Sequence, residues 1–552
     1  KNLDNIIAMV ALYRPGPMAF IPDYISRMHG ESEVEYRHPA MEPIFKDTYG
    51  IPVYQEQLMR AAVELAGYTP SESDELRKAI SKKKKEEIEK HRNKFVAGAV
   101  KNGMAKEIAE AIYSDWEEFA RYGFNKCLPG DVQILDASTG KLVKVEDLYR
   151  RLTEVSETVT CNIDSLRLIS GRISQVMDNG VKPVYRLTTA LGRQIEATGN
   201  HPFYTFSGWQ NLEELKTGDL IAVPRYLPVE GKDEWPEHEV IALGHLLAEG
   251  NLCHPHSVYF YSQDEDQVDD FVRAAEAFDN VKCSVAWHKS TLSVYAARAD
   301  KKMPPGIFVW AEKLGILGKN ARDKTIPDEV FMLTNQQIGL LISRMWQGDG
   351  HIDRTSRALF YATASEKMAR QLQHLLLRFG VISRLRRVVF PYKDGRVGYQ
   401  LFITGDENIR VFNEEIGIYF LEGRRKQTLE NLLQIRPGRV MGTKDIVPMA
   451  VKELVRTAKE LSAVTWVEMN AVAGIAQREF SPTHTATKRG FTRQTIGRLA
   501  TYFDDSRLRR YAENDVYWDE VVGIEYVGEK QTYDLEIPET HNFVANDIIV
   551  HN

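Results

Sequence analysis

Residues 127–131 read Cys127-Leu128-Pro129-Gly130-Asp131, and the character of the chain changes at the first of them. Upstream, Pro-rich loops (Arg14-Pro15-Gly16-Pro17, Ile51-Pro52) give way to amphipathic runs such as Gln57–Ala66 and Lys84–Val100, whose apolar spacing predicts helices. Downstream, short alternating segments separated by Gly and Asp (Asp131–Ala137, Val184–Ala190, Phe203–Phe206) predict strands of a compact β fold. Helical patterning returns around Trp235–Glu239. A mixed α/β region then runs to about residue 440, and a helical stretch to about residue 512. Strand patterning resumes at Val521–Tyr526 and Thr532–Ile537. The expected layout is a β domain opened by a large insertion: 1–126, mostly helical; 127–234, the first part of the β domain; 235–440, the α/β insertion; 441–512, a helical accessory region; 513–552, the rest of the β domain.

A chain of 552 residues is too long for one ordinary domain. With 71 basic against 77 acidic residues, its net charge of −6 carries no global bias toward nucleic acid, though local patches can still bind phosphates. No apolar run of about 18 residues suggests a membrane span. The opening at Lys1, with neither signal nor transit peptide, reads as a cut end inside a larger protein. Cys127, Cys161, Cys253 and Cys283 are spaced too widely for a zinc knuckle or a disulfide framework, which suggests a reducing cytoplasm.

Four clusters carry candidate chemistry. Cys127 can attack the Lys126 carbonyl and turn an amide into a thioester, because a thiolate is strongly nucleophilic. In Thr198-Gly199-Asn200-His201-Pro202-Phe203, His201 can give a proton to the departing nitrogen, and Thr198 with nearby amides can hold the developing oxyanion. Asp534, in Tyr533-Asp534-Leu535-Glu536, can tune the thiol, and His541 can assist release downstream. In His551-Asn552, after Ile548-Ile549-Val550, the asparagine amide can attack its own carbonyl while His551 polarises it. Singly, each has a bland reading: a buried small residue, a turn histidine, a strand cap, a chance dipeptide.

Taken together and in this order, the clusters resemble the splicing motifs of inteins. The resemblance covers Cys127–Val223 and about Trp518–Asn552. It implies the all-β horseshoe fold shared with hedgehog autoprocessing domains, catalytic roles for Cys127, Thr198, Asn200, His201, Asp534, His541, His551 and Asn552, and no cofactor. A hedgehog-type domain would lack the terminal His-Asn. The chain stops at Asn552, so the downstream residue that completes ligation, Cys, Ser or Thr in the family, is expected beyond it.

The insertion contains an internal repeat. Glu239–Gly250 ends Leu-Leu-Ala-Glu-Gly and Asn335–Gly350 ends Trp-Gln-Gly-Asp-Gly. Each is followed by a strand, a helix (Glu265–Phe278; Glu366–Phe379) and two strands, then a glycine with a lysine nine residues later, Gly315 to Lys324 and Gly417 to Lys426. The acid-to-lysine spacings are 324 − 249 = 75 and 426 − 349 = 77. The paired helices resemble those of LAGLIDADG homing endonucleases. That resemblance implies an α/β pseudo-dimer acting as a monomer on a long, nearly palindromic double-stranded DNA site. Glu249 and Asp349 would bind Mg²⁺, Lys324 and Lys426 would lie near the active centre, and Arg384, Arg386 and Arg387 would touch the DNA backbone. An insert that had lost cutting would keep only DNA binding. Lys488-Arg489-Gly490-Phe491-Thr492-Arg493 is a basic turn that suggests a further DNA contact.

Residues 1–126 resemble the bacterial DNA polymerase III alpha subunit. The matching motifs are Leu12-Tyr13-Arg14-Pro15-Gly16-Pro17-Met18, Tyr49-Gly50-Ile51-Pro52-Val53-Tyr54-Gln55-Glu56-Gln57 and Ala120-Arg121-Tyr122-Gly123-Phe124-Asn125-Lys126. This implies a palm-to-fingers piece without the family's metal-binding aspartates, a host that is a cytoplasmic nucleotidyltransferase, and the rest of the polymerase III holoenzyme as partner. Arg77 and Lys82-Lys83-Lys84-Lys85 would suit phosphates. Ser is the expected residue after Asn552.

Overall fold

The computed structural model describes residues 20–53, 55–73, 75–76, 85–122, 126–150, 155–288, 290–389, 395–434, 445–462, 464–474 and 490–552. The Leu12–Met18 motif, Arg77, Lys82–Lys84, Gly123–Asn125 and Lys488-Arg489 lie outside the described residues. Two units separate, Lys1–Asn125 and Lys126–Asn552. Among the described residues no helix is long and apolar enough to cross a membrane.

In the first unit the amphipathic runs form the helices Gln55–Ala66 and Lys85–Lys101, joined by Ile21–His29 and Lys106–Tyr122. They close on a core of Phe45, Leu58, Phe95, Ile112 and Trp116. Gly98 permits the tightest contact, since a Cβ there would fall 2.1 Å from the Ala66 carbonyl oxygen.

In the second unit an eleven-stranded sheet draws on both sides of the insertion. The two strands expected at Val521–Tyr526 and Thr532–Ile537 are one, Val516–Glu536, paired antiparallel along Gln175–Thr189. The stretch between those two ranges is absorbed by register shifts, with Gly528 at φ +110° where a side chain would strain. Asn542–Ala545 pairs with Gln133–Leu135, and Ile548–His551 with Pro202–Thr205. Leu128 and Pro129 pair with Tyr533 and Thr532. Start and end of the β domain are therefore interleaved in one sheet, around a core that includes Ile134, Leu187, Phe203, Val521, Phe543 and Val550.

The insertion has two halves of matching order. Helix Glu237–Glu249 leads into a four-stranded sheet (Gly250–Asn251, Tyr259–Ser262, Val281–His288, Thr291–Arg298), and helix Asn335–Asp349 into another (Gly350–Asp353, Ala358–Thr363, Ser383–Val389, Val397–Thr404). Both helices are buried along most of their length, as residues apolar on nearly every side require. They cross closely. A Cβ on Gly348 would lie 2.6 Å from the Ala248 Cβ, and one on Gly244 the same distance from the Arg344 Cβ. The insertion docks on the β domain through Leu385 N–H to the Leu191 carbonyl (2.9 Å) and His374 Nδ1 to Asp547 Oδ1 (2.7 Å).

The accessory region does not stand alone. Its helices Val451–Leu461, Trp466–Ala473, Arg493–Phe503 and Ser506–Ala512 share a core with Tyr204, Val516 and Trp518. Arg493, read from sequence as part of a DNA-contacting turn, is used internally. It donates to Asp445 (2.8 Å) and to the Asn514 side chain (2.9 Å).

Candidate functional site

The sheet pairing that joins Leu128 to Tyr533 carries Cys127 into the protein, where it is fully buried. Strand Gln194–Thr198 ends beside it. Thr198 Oγ1 accepts from the Cys127 N–H (3.2 Å), and the Thr198 N–H donates to the Cys127 carbonyl (3.1 Å). Thr198, expected at an oxyanion on Lys126, instead brackets Cys127, because the strand end pairs its backbone there. It thereby holds the Cys127 nitrogen. Two residues that the sequence reading missed face the sulfur: Lys182 Nζ at 3.1 Å and Asn179 Nδ2 at 3.3 Å. Both flank Gly180 on the strand Gln175–Thr189, and nothing in their spacing marks them. Burial pushes the thiol up and the Lys182 ammonium pulls it down, leaving it raised.

His201 is fully buried, and neither ring nitrogen has a hydrogen-bond partner at normal distance. Burial, with the nearby charges of Lys126 and His551, lowers it to about 3, while the Lys126 backbone pulls weakly the other way. The resting imidazole is neutral and lies close to Lys126. Asn200 lies half-buried in the turn just before it.

Asp534 is buried with one carboxylate oxygen unpartnered. Burial raises it to about 7 against the opposing pull of Lys126 and Lys182. The unfolded carboxyl ionises near 3.8 and the folded one near 7, so the folded state holds a proton that the unfolded state has lost. Stability therefore falls as pH rises through that window, by up to about 4 kcal/mol from this group. In a Cys127→Ala background, urea unfolding at about pH 4.5 and about pH 7.5 should show the loss, and Asp534→Asn should shrink it. Equal pH slopes in the two proteins would remove Asp534 as the cause.

At the other junction, the strand Ile548–His551 sets His551 edge-on to Trp209, with ring centroids 4.7 Å apart. His551 Nδ1 contacts the Asn552 carbonyl oxygen. Burial and Lys126 lower the imidazole to about 3. The Asn552 amide nitrogen donates to the His541 carbonyl (2.7 Å), and its oxygen accepts from the Ile537 N–H (2.8 Å). His541 itself is exposed and left-handed at φ +52°; it meets Asn552 through its backbone, not its ring. Lys126 Nζ lies 2.8 Å from His551 Nδ1 and 3.1 Å from the Asn552 carbonyl oxygen.

The insertion forms a second centre. Glu249 and Asp349 end the two crossing helices. Solvent reaches Glu249, whereas Asp349 is half-buried and accepts from the Tyr361 hydroxyl at 3.4 Å. Burial first, then Glu249, raises Asp349 to about 7. Glu249 is raised too, through desolvation of its carboxylate despite the exposure of the residue as a whole. Two hard-oxygen donors sharing an unfavourable charge suit a hard divalent cation. Lys324 is buried, and its Nζ donates to the carbonyls of Leu246 (2.9 Å), Leu247 (3.1 Å) and Ala248 (2.9 Å) at the end of the first helix.

Its counterpart is not Lys426. That lysine pairs with Glu422, while Arg425 donates to Trp346 (3.2 Å), Gly348 (3.3 Å) and Gly350 (2.6 Å) at the end of the second helix. The spacing is then 425 − 349 = 76, one more than the 75 of the first half and one less than the 77 to Lys426, and from that position the arginine reaches Trp346 and Gly348, the equivalents of Leu246 and Ala248. Arg384 and Arg386 share a strand face, across from Phe402 and Gln400, and Arg386 stacks on Phe402 at 5.1 Å. Arg387 projects from the opposite face, as the two-residue strand period dictates, which separates it from the other two. Among the described residues, no cluster of three or more His, Cys, Asp or Glu is arranged to hold a metal.

A model of the bacterial DNA polymerase III alpha subunit finger domain matches residues 1–103. The chain is 34% identical over 441 residues to the replicative DNA helicase DnaB of Rhodothermus marinus, covering 77% of this chain and 46% of that protein. It is 39% identical over 207 residues to DNA polymerase III subunit alpha of Chlamydia trachomatis, covering 36% of this chain and 16% of that one. The chain thus spans less than half the length of these curated relatives. Among solved structures, the homing endonuclease I-WcaI bound to its DNA recognition sequence is 11% identical with a TM-score of 0.26, over 36% of this chain and 88% of that one. The model of the intein splicing domain matches residues 134–552, and on that match this protein belongs to the intein splicing family.

Proposed function

We propose that this chain is a segment of a DNA polymerase III alpha subunit interrupted by a self-splicing intein, Cys127 to Asn552, that carries a DNA-cutting homing endonuclease. What carries the reading is one observation: Cys127 and Asn552, far apart in sequence, are held at one place, with Lys126 touching the residues of the second junction. A further support is the reach of the helicase match. The stretch from Cys127 onward is 552 − 126 = 426 residues, 77% of the chain, the same share that resembles a helicase. A segment shared by proteins of unlike hosts behaves as an insert.

In the splicing reaction the Cys127 sulfur attacks the Lys126 carbonyl carbon, and the bond from that carbon to the Cys127 nitrogen breaks. Lys182 and Asn179 stabilise the developing thiolate, Thr198 fixes the departing nitrogen, and the proton that the thiol loses ends on that nitrogen, the neutral His201 taking it up and passing it on. Asp534, protonated or not near neutral pH, tunes the charge around the sulfur. Finally the Asn552 side-chain nitrogen attacks its own carbonyl carbon, the bond from that carbon to the nitrogen of the following residue breaks, and that nitrogen leaves with the proton the amide loses; His551 stands beside the oxygen that gains charge.

In the insertion, Glu249 and Asp349 would hold Mg²⁺, and Lys324 and Arg425 would keep the two helix ends fixed beneath it. The bound ion would act as Lewis acid on a DNA phosphodiester. Arg384 and Arg386 would meet the DNA backbone, with the endonuclease acting as a monomer. The host fragment would work with the rest of the polymerase holoenzyme in a bacterial cytoplasm.

The test is direct. With a serine-initiated segment added after Asn552, the chain should release a 426-residue protein and join its flanks. A chain that stays intact after purification and incubation would overturn the splicing reading.

A further inference from the structure

We propose that Lys126, the host residue just before the upstream junction, is a positioning residue that ties the two junctions together, so that the intein depends on a lysine at its insertion point. The inference rests on the splicing reading.

The residues around the two junctions form separate sets. Thr198, Lys182 and Asn179 act on Cys127, while His541 and Ile537 hold the Asn552 amide. Lys126 reaches from one set to the other. Its ammonium lies 2.8 Å from His551 Nδ1 and 3.1 Å from the Asn552 carbonyl oxygen, across 425 and 426 positions of sequence. An ammonium can only donate, so it gives a hydrogen bond to the Asn552 carbonyl oxygen, and to Nδ1 in the tautomer that leaves that nitrogen without a proton. The contact is partly buried, where a charge-assisted bond is stronger than in water. Burial lowers the amine to about 8, with Asp534 opposing, so it stays mostly charged at neutral pH.

The acyl group that must travel belongs to Lys126 itself. In the transfer step the thioester carbon–sulfur bond breaks and an ester bond forms to the hydroxyl of the serine after Asn552. The hydroxyl proton passes to the departing sulfur. A side chain anchored on Asn552 keeps that acyl carbon beside the accepting hydroxyl, and it does so with an atom that the intein does not encode. Without the anchor, the thioester waits longer and water competes for it.

The experiment uses the full chain with the serine-initiated segment, and reads spliced product divided by upstream-cleaved product. Both products require a folded splicing domain, so a variant that fails to fold yields neither and cannot mimic the effect. Lys126→Met should lower the ratio by about tenfold, the size of one charge-assisted hydrogen bond. Lys126→Arg, which keeps the charge, should hold the ratio at least about threefold above Lys126→Met. A methionine ratio within about twofold of the parent overturns the proposal, as does an arginine ratio no better than methionine. If the parent itself never splices, the splicing reading fails, and that result is distinct from either.

Discussion

Cys127→Ala is expected to leave the upstream segment joined to the rest of the serine-extended chain, with no 426-residue fragment at any time of incubation. The loss should exceed about 10³-fold, because the step has no other nucleophile to fall back on. Cys161 is buried and pushed up to about 12, and its backbone is tied to Asn542. Cys253 and Cys283 lie in the insertion. The alanine also fits without strain, since Cys127 packs as a small buried side chain and the Thr198 contacts use its backbone. Loss of processing with an unchanged melting temperature therefore isolates the sulfur. Persistent release of the upstream segment would assign the nucleophile elsewhere.

Asp349→Asn should abolish cutting of DNA that carries the uninterrupted host gene, by about 10³-fold or more in Mg²⁺, while splicing proceeds at the parent rate. The substitution keeps shape and the Tyr361 contact but removes the charge that a cation needs. The two activities come apart because the helix crossing belongs to the core of Leu243, Leu246, Leu341 and Met345, whereas the splice junctions sit on the sheet core of Ile134, Phe203 and Val550. Cutting that survives in the asparagine variant would remove Asp349 from the metal site. A parent that binds the site without cutting it would reduce the insertion to a DNA-binding domain.

Both centres were legible from chain order more than from any single motif. The repeat count placed Glu249 and Asp349 correctly at the ends of two helices, because an acid that closes a helix keeps a fixed distance from the apolar stripe before it. It failed by one residue at Lys426. Side-chain reach, unlike backbone period, is not written in spacing, and an arginine at 425 does what a lysine at 426 was expected to do. The two strands expected at Val521–Tyr526 and Thr532–Ile537 are one for a related reason: a strand that pairs along its whole length tolerates Gly528 and its neighbours as bulges. Lys182 and Asn179 carry no signature, since their role exists only where their strand passes the sulfur.

By itself the sequence determined the order of domains, the position of the insertion and the residue types able to do chemistry, because periodicity, turn residues and repeats are local properties of the chain. Which atoms meet was decided only by the tertiary structure. Pairing of strands from opposite ends of the chain brings Lys126 to Asn552, buries Cys127 beside a lysine and leaves His201 neutral. Contacts over more than four hundred residues depend on register and burial across the whole sheet, and no local pattern encodes them.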